Sequence, residues 1–391
     1  MLGLVGALGV AQVISWGSLY YAIGVLGPPM RAELGVSELF LFGSFTAGLL
    51  VCGAIAPATG RAIDRLGGRR VLSAGSVAGA LGMAVLAIAS GPVVVVAGWA
   101  IAGASMAATL YDPAFATLSQ HTGDKYRRAV TAVTLLGGFA STAFWPLSQV
   151  LLDAVGWRMA FGIYAALQLA VCLPIHLFVI PARARSAALP DATPAERGVA
   201  GERPGLAKLN AAFAIANLVV GVVAVHMVGL LTGAGLTTKE AIAISVLMGP
   251  MQVAGRVLEI TFLRRVHATR IGIVALSLIV LAVVFLMLVS GGGVLPVLFV
   301  IAYGAGNGIL TIVRGAAPAE MYGAAGLGGL LGYLSRASSI ARALGPATYP
   351  AMIAVGLGER ASLAALDGLL VAGVILYMLA TREAGRARGL A

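Results

Sequence analysis

The side chains best suited to chemistry in this sequence are the few ionisable residues that interrupt long apolar stretches. They are Asp112, Arg256, Glu259, Arg314, Arg336 and Arg342, together with the titratable His226. An ionisable group in an apolar environment is costly, so it usually lines a polar cavity or pairs with another group. Because arginines outnumber acids in this set, the site they form is expected to accept a negatively charged group.

Arg336 and Arg342 lie near the middle of an apolar stretch at about 326–352 that contains no acid. Their separation turns an α-helix by about 600°, which places the two side chains about 120° apart. The two guanidinium groups are therefore not expected to clamp one group together. We expect at least one of them to bind an anion, and hydrogen bonds to the carbonyl groups of neighbouring helices are the alternative.

The composition indicates a membrane protein. Of the 391 residues 60% are apolar and 10% are charged, and the mean hydropathy is +0.98. A soluble domain has about 25% charged residues, so a cytosolic enzyme, a nucleic-acid-binding protein and a secreted scaffold are excluded. Stretches close to the roughly 20 apolar residues that cross a bilayer as a helix fall at approximately 5–28, 39–60, 71–90, 93–117, 129–151, 158–181, 208–231, 241–263, 271–290, 294–317, 326–352 and 362–381. They predict an all-α protein with twelve crossings.

The basic residues predict the orientation in the membrane. The formal charge is +11, and most lysines and arginines outside the apolar stretches fall in alternate connections, beginning with 61–70. Cytoplasmic loops carry an excess of Lys and Arg, so we expect both termini in the cytoplasm and an even number of crossings of the inner membrane. The positive charge is thus a topology signal and does not indicate a nucleic-acid partner.

Cofactor chemistry has no support in the sequence. The two cysteines, Cys52 and Cys172, each lie inside an apolar stretch and indicate neither a disulfide framework nor a thiolate metal site. No Walker lysine motif, zinc-ligand spacing or nucleophile elbow occurs. The sequence therefore predicts no enzyme, no cofactor and no metal site.

Short motifs recur in the two halves of the chain. The pattern at 60–64 returns 195 residues later at 255–259, and the stretch 146–156 returns 200 residues later at 346–356. Parallel repeats of this kind build a site between two halves. We predict an N-terminal six-helix bundle at 1–181, a cytoplasmic linker at 182–207 and a C-terminal six-helix bundle at 208–391.

The segment from Gly60 to Arg70 resembles the signature of the major facilitator superfamily. That signature is a glycine, an acid four residues later, a basic residue, a glycine and a basic pair, here Gly60, Asp64, Arg65, Gly67 and Arg69-Arg70. Gly68 departs from the pattern, because the family usually has a basic residue there. Gly156-Trp157-Arg158 also resembles the family, and the stretch 226–236 faintly resembles its monocarboxylate-porter-like members.

This resemblance implies an all-α fold of twelve transmembrane helices in two pseudo-symmetric six-helix bundles, working by alternating access. Gly60 lets two helices approach closely, and Asp64 can accept hydrogen bonds from a neighbouring helix N-terminus. Residues matching the signature, its second-half counterpart and the basic partner predicted for Asp112 form the expected gate. They are Gly60, Asp64, Arg65, Gly67, Arg69, Arg256 and Arg314.

The resemblance also names candidate site residues on helices that line the cavity in this superfamily. Expected substrate-binding residues are Arg336, Arg342, Trp16, Tyr20, Asn217, Gln252, Asn307, Tyr333 and Ser339. Expected proton-coupling residues are Asp112, Glu259 and His226. Each has a structural alternative: a gate ion pair for Asp112 with Arg314, a pair within one helix for Glu259 with Arg256, and packing for His226.

Together these features predict a monomeric secondary transporter for a small solute, first of all an organic anion such as a carboxylate, with possible coupling to protons. A proton-coupled efflux pump for drugs or lipophilic compounds is the first alternative, although 99–103 lacks the buried arginine that is usual in such antiporters. A transporter-like receptor or assembly factor is the second. A soft-metal (copper) importer, suggested by His226 with Met227, Met248 and Met251, is the third.

Overall fold

The computed structural model describes residues 2–182, 203–263 and 265–387. Most of the linker predicted at 182–207 therefore lies outside the described residues. The described chain is helical and contains no β-strand, which confirms the all-α prediction. The helices are α1 (Leu2–Trp16), α2 (Ile23–Leu34), α3 (Glu38–Leu66), α4 (Gly68–Ala87), α5 (Pro92–Thr109), α6 (Tyr111–Thr122), α7 (Tyr126–Gly137), α8 (Ala140–Leu167), α9 (Leu206–Gly233), α10 (Thr238–Ser245), α11 (Met248–Phe262), α12 (Ala268–Leu288), α13 (Leu295–Tyr322), α14 (Leu327–Ala354) and α15 (Glu359–Ala387).

Short non-α turns interrupt or extend several helices. A π-helical turn at Gly17–Tyr21 comes between α1 and α2, and two more, Gln168–Cys172 and Ile175–Val179, continue α8. A 3₁₀ turn at Gly123–Lys125 precedes α7. Wider π turns occur rarely and often at functional sites, so the one between α1 and α2 marks a place to examine.

The helix boundaries repeat along the chain because the same local signals recur. Ser37 caps α3 by accepting a hydrogen bond from the Phe40 N–H (3.1 Å), and Thr237 caps α10 in a capping box with Glu240. Left-handed glycines, which tolerate positive φ without steric cost, occur 200 residues apart in three pairs: Gly35 and Gly235, Gly123 and Gly323, and Gly156 and Gly356. Turns and caps thus follow one 200-residue period.

The chain forms two compact units. The first contains residues 1–197 together with 324–336, and the second contains 198–323 together with 337–391. In the first unit α5 packs against α3 and α4, and in the second α13 packs against α11 and α12. The pairings match through the 200-residue period. The domain boundaries expected from the sequence stay a prediction.

The number of crossings also stays a prediction. Nine helical segments of the described chain are long and apolar enough to cross a membrane, judged by length and composition. One of them is an 88-residue run, Pro92–Val179, which is several times the roughly 20 residues that one crossing needs. The 28-residue α14 is long enough but is not among the nine.

Gly156 gives a first testable prediction about the fold. It has φ 77° inside α8, where it separates two helical stretches, and an added Cβ meets no atom within 4 Å. Gly156→Ala is therefore strained by its backbone alone, by about 1–2 kcal/mol, and should lower the melting temperature of the purified protein. Gly162→Ala in the same helix has ordinary helical geometry and should not lower it. Equal melting temperatures for the two variants would show that the left-handed turn is not needed.

Candidate functional site

In the second unit, small residues bring α9 and α14 into close contact. A Cβ added at Gly221 would overlap the backbone carbonyl of Arg342, and one added at Gly345 would lie 2.5 Å from the Leu218 oxygen. Glycine is the residue that lets two membrane helices approach this closely. The contact places the polar side chains of α9 directly against those of α14.

Asn217 holds the guanidinium group of Arg342 at this contact. Its Oδ1 accepts hydrogen bonds from Arg342 Nε (3.2 Å) and Nη2 (2.6 Å). Its Nδ2 donates to the Phe213 carbonyl (2.8 Å), and the asparagine is 2% exposed. Both hydrogen-bonding ends of the amide are thus engaged, so the position of the half-buried guanidinium is fixed.

The charge of Arg342 is not neutralised within its unit. Its partner is a neutral amide, and no carboxylate pairs with it among the residues of the second unit that the structure describes. Arg336 belongs to the first unit, where it is exposed and makes no hydrogen bond with the described residues of that unit. Of the two arginines, Arg342 is therefore the one that the fold positions.

His226 lies two turns along α9 from Asn217. Its Nε2 is 2.8 Å from the Pro346 carbonyl oxygen, and its ring centroid is 5.7 Å from that of Tyr349. A carbonyl can only accept a hydrogen bond, so Nε2 carries the proton and Nδ1 is left to take up or release one. Tyr349 in turn lines a cavity of about 400 Å³ with Glu359 and Arg360.

The other predicted residues of the second unit occupy varied environments. Gln252 on α11 and Asn307 on α13 are half-buried, as are Arg314 and Ser339. Arg256 and Glu259 are buried on α11, at 3% and 2% exposure. Arg256 and Glu259 are three residues apart and so lie on one side of the helix, as the sequence predicts.

The segment predicted as a gate is built around Asp64 in the first unit. Its two carboxylate oxygens accept hydrogen bonds from the backbone N–H groups of Gly328 (2.9 Å) and Gly329 (2.6 Å) in the first turn of α14. A carboxylate at a helix N-terminus also interacts favourably with the helix dipole. A Cβ added at Gly60 would overlap the Gly328 carbonyl, so this glycine is needed for the approach.

The rest of this segment turns from α3 into α4. Gly67 has φ 82° and is buried, Arg65 is exposed and Arg69 is half-buried. Sequence reasoning missed Gln120, whose amide donates to the Ile63 carbonyl (2.9 Å) and accepts from the Gly68 N–H (3.3 Å). Its counterpart 200 residues later, Glu320, accepts from the Ala268 N–H (2.7 Å).

Trp16, Tyr20 and Asp112 also lie in the first unit, as does Tyr333 of α14. Trp16 and Tyr20 are half-buried, with ring centroids 5.2 Å apart. Trp16 also lies 5.1 Å from Tyr111, the residue before Asp112. Asp112 is half-buried in the first turn of α6, a favourable place for an acid near a helix N-terminus. Tyr333 is half-buried.

A buried polar network in the first unit was not predicted. Gln168 donates to the Ser18 hydroxyl (2.9 Å), and His176 Nδ1 lies 2.8 Å from the Ser76 hydroxyl. Gln12 donates to the Thr109 carbonyl (2.6 Å). These side chains are isolated polar residues in apolar stretches, so the sequence gave no spacing that would connect them. Across the described residues, no group of three or more His, Cys, Asp and Glu is arranged to hold a metal.

Comparison with known proteins identifies the family. The family model described as "Major Facilitator Superfamily" matches residues 8–346. The chain belongs to this superfamily. It is therefore a multi-pass membrane protein and a secondary transporter rather than an enzyme, and it acts on small-molecule substrates. No curated protein sequence matches the chain significantly.

Solved structures of the same superfamily are similar in fold. The human organic anion transporter MFSD10 (TETRAN) aligns with a TM-score of 0.72 at 18% identity, over 96% of this chain and 99% of that one. The E. coli fucose:proton symporter FucP aligns with a TM-score of 0.73 at 13% identity, over 96% and 98%. The proton:xylose symporter XylE aligns with a TM-score of 0.74 at 13% identity, over 100% and 96%. At these identities the likeness is one of fold.

Proposed function

We propose that this member of the superfamily carries a small organic anion, such as a carboxylate, across the inner membrane, with Arg342 as the anion-binding charge. The single observation that carries the proposal is the Arg342 guanidinium, which Asn217 positions without neutralising it. A charged group at membrane depth usually marks a substrate or ion pathway. The fold accommodates such a substrate, since one similar structure is that of an organic anion transporter.

The chemistry of the guanidinium group suits a carboxylate. It presents N–H donors in a planar fork that matches the two oxygens of a carboxylate. Asn217 accepts from Nε and Nη2, and the remaining N–H groups make no hydrogen bond with the described residues of the second unit. They can therefore serve a ligand. A neutral sugar or a cation would leave the positive charge uncompensated, which makes both poorer candidates.

Coupling to protons is the second part of the proposal, with His226 as the group that binds the proton. Its unperturbed pKa lies in the physiological range, and its bond to the Pro346 carbonyl is compatible with both the neutral and the protonated ring. Tyr349 separates it from the cavity that Glu359 and Arg360 line. Asp112 and Glu259 stay as alternative proton-binding residues. The account also includes a monomer with both termini in the cytoplasm.

The experiment is uptake into proteoliposomes under an imposed pH gradient. An acidic exterior should drive accumulation of a labelled carboxylate, and a protonophore should abolish it. His226→Gln keeps an N–H donor for the Pro346 carbonyl but cannot bind a proton, so it should reduce accumulation at least about tenfold while carboxylate exchange without a gradient continues. His267→Gln is the matched control, because this histidine is 77% exposed at the start of α12. Gradient-driven accumulation that persists in His226→Gln would remove His226 from the account.

A further inference from the structure

Six aromatic side chains of the first unit form a continuous surface, here called the aromatic cluster. Its members are Trp16, Tyr20, Tyr21, Phe45, Tyr111 and Trp145. The centroids of neighbouring rings lie 5.1–6.2 Å apart. They come from the segment joining α1 and α2, from α3, from the start of α6 and from α8, so only the folded chain brings them together.

The π-helical turn at Gly17–Tyr21 is what places two of these rings. In an α-helix Tyr21 would point about 140° away from Trp16. In a π turn, residues five apart come into register, and the Trp16 and Tyr21 centroids are 6.2 Å apart. Gly17 makes room for this turn, because a Cβ there would overlap the ring of Phe144. The backbone thus departs from the α-helix at the point where the rings assemble.

The rings of the cluster are only partly covered, unlike the aromatic residues beneath them. Phe45 packs on Trp99 (5.0 Å) and Tyr111 stacks on Phe115 (5.5 Å), and these two supporting rings are 0% and 1% exposed. In contrast, Trp145 is 52% exposed and the other members are half-buried. The cluster is therefore a rigid aromatic surface supported from below and open above.

Two hydrogen-bond donors of the cluster lack partners among the described residues. The indole N–H of Trp16 is buried and bonds to no acceptor there, and the Tyr20 hydroxyl makes no hydrogen bond. A buried donor without an acceptor costs about 1–3 kcal/mol, so buried Trp and Tyr usually find a partner. An oxygen atom of a bound ligand would supply one.

We infer that the aromatic cluster binds a planar ring, so the transported anion is an aromatic carboxylate rather than a short aliphatic one. The inference rests on the proposed function for the charge, but the ring preference comes from the first unit alone. Flat rings gain from offset or edge-to-face contacts with Trp and Tyr beyond the area they bury, whereas a puckered saturated ring of the same size does not. The unpaired Trp16 N–H and Tyr20 hydroxyl fit a ring that carries an oxygen acceptor.

The test compares ligands that differ in one property each. Calorimetric titration of the purified transporter with benzoate and with cyclohexanecarboxylate holds charge and size nearly constant and changes only the flatness of the ring. Benzoate should bind about three- to tenfold more tightly, since ring contacts of this kind contribute about 0.5–1.5 kcal/mol and 1.4 kcal/mol is tenfold. Trp16→Leu and Tyr21→Leu should abolish this ratio. Trp16→Phe, which keeps a ring, should restore most of it.

Phe178→Leu is the matched control, because this phenylalanine lies in the same unit, is 73% exposed and is not part of the cluster. It should leave the ratio unchanged. Equal binding of the two carboxylates, or a ratio that survives Trp16→Leu, overturns the inference. If neither carboxylate binds but benzyl alcohol does so in a Trp16-dependent way, the ring site stands and the anion proposal fails. If no aromatic probe binds, the ring site is wrong.

Discussion

Arg342→Gln is expected to reduce carboxylate uptake by proteoliposomes about 100-fold. Glutamine is uncharged and too short to reach both Asn217 and a ligand, so the substrate carboxylate loses its charged partner. Removing one member of a desolvated, hydrogen-bonded charge pair costs about 2–5 kcal/mol, and 1.4 kcal/mol corresponds to tenfold. Initial rates over a range of carboxylate concentrations measure the effect.

The controls separate binding from assembly. Arg270→Gln also removes an arginine of the second unit, but this residue is exposed near the start of α12 and should leave uptake unchanged. Arg342→Lys keeps the charge but not the planar fork, so its uptake should fall between that of wild type and Arg342→Gln. All variants should elute as the wild type in size-exclusion chromatography. Normal uptake by well-folded Arg342→Gln would rule out Arg342 as the anion-binding charge.

Gly60→Ala is expected to have the second-largest effect. The added methyl group would overlap the Gly328 carbonyl, which is rigid backbone, so α3 and the first turn of α14 would have to separate. Such a shift would also stretch the hydrogen bonds from Gly328 and Gly329 to Asp64. Overpacking costs about 1–3 kcal/mol, and we expect transport to fall about tenfold and the melting temperature to decrease.

The same helix provides the comparison for this variant. Gly43→Ala, also in α3, adds a methyl group that meets no atom within 4 Å, and alanine is a better helix former than glycine. Transport and melting temperature should both stay at wild-type values. If Gly60→Ala behaves like Gly43→Ala in both assays, close packing at residue 60 is not required for the transport cycle.

The sequence predicts best those features that depend on local patterns or on rare residues. Long apolar stretches predict the all-α fold, and the motif from Gly60 to Arg70 identifies the superfamily that the family comparison confirms. Charge is so rare in this chain that Arg342 stands out, although its partner Asn217 was only one of several polar candidates. The exact count of crossings and the predicted site roles stay predictions.

Features that depend on contacts distant in sequence could not be predicted. Phe45, Tyr111 and Trp145 are separate residues of three apolar stretches, and only tertiary packing places them beside Trp16. The π-helical turn has no sequence pattern of its own, so the register of Tyr21 was not predictable. Gln120 was missed for a related reason, because its amide bonds to backbone groups more than 50 residues away.

The internal repeat was recognised from the sequence, but at slightly different spacings for different motifs. The structure supplies one spacing, since left-handed glycines and helix caps recur 200 residues apart. Positive φ is required at these turns in both halves, whereas the side chains between them are free to diverge. Backbone geometry therefore preserves the repeat more clearly than residue identity does.

Counterflow in proteoliposomes tests the central claim most directly. Vesicles loaded with an unlabelled carboxylate are diluted into a trace of the labelled compound, and a parallel series uses an organic cation of similar size. We predict transient accumulation of labelled carboxylate and none of the cation, because the second unit offers a positioned and uncompensated guanidinium. Accumulation of the cation alone would contradict the account and favour an efflux pump for cationic compounds.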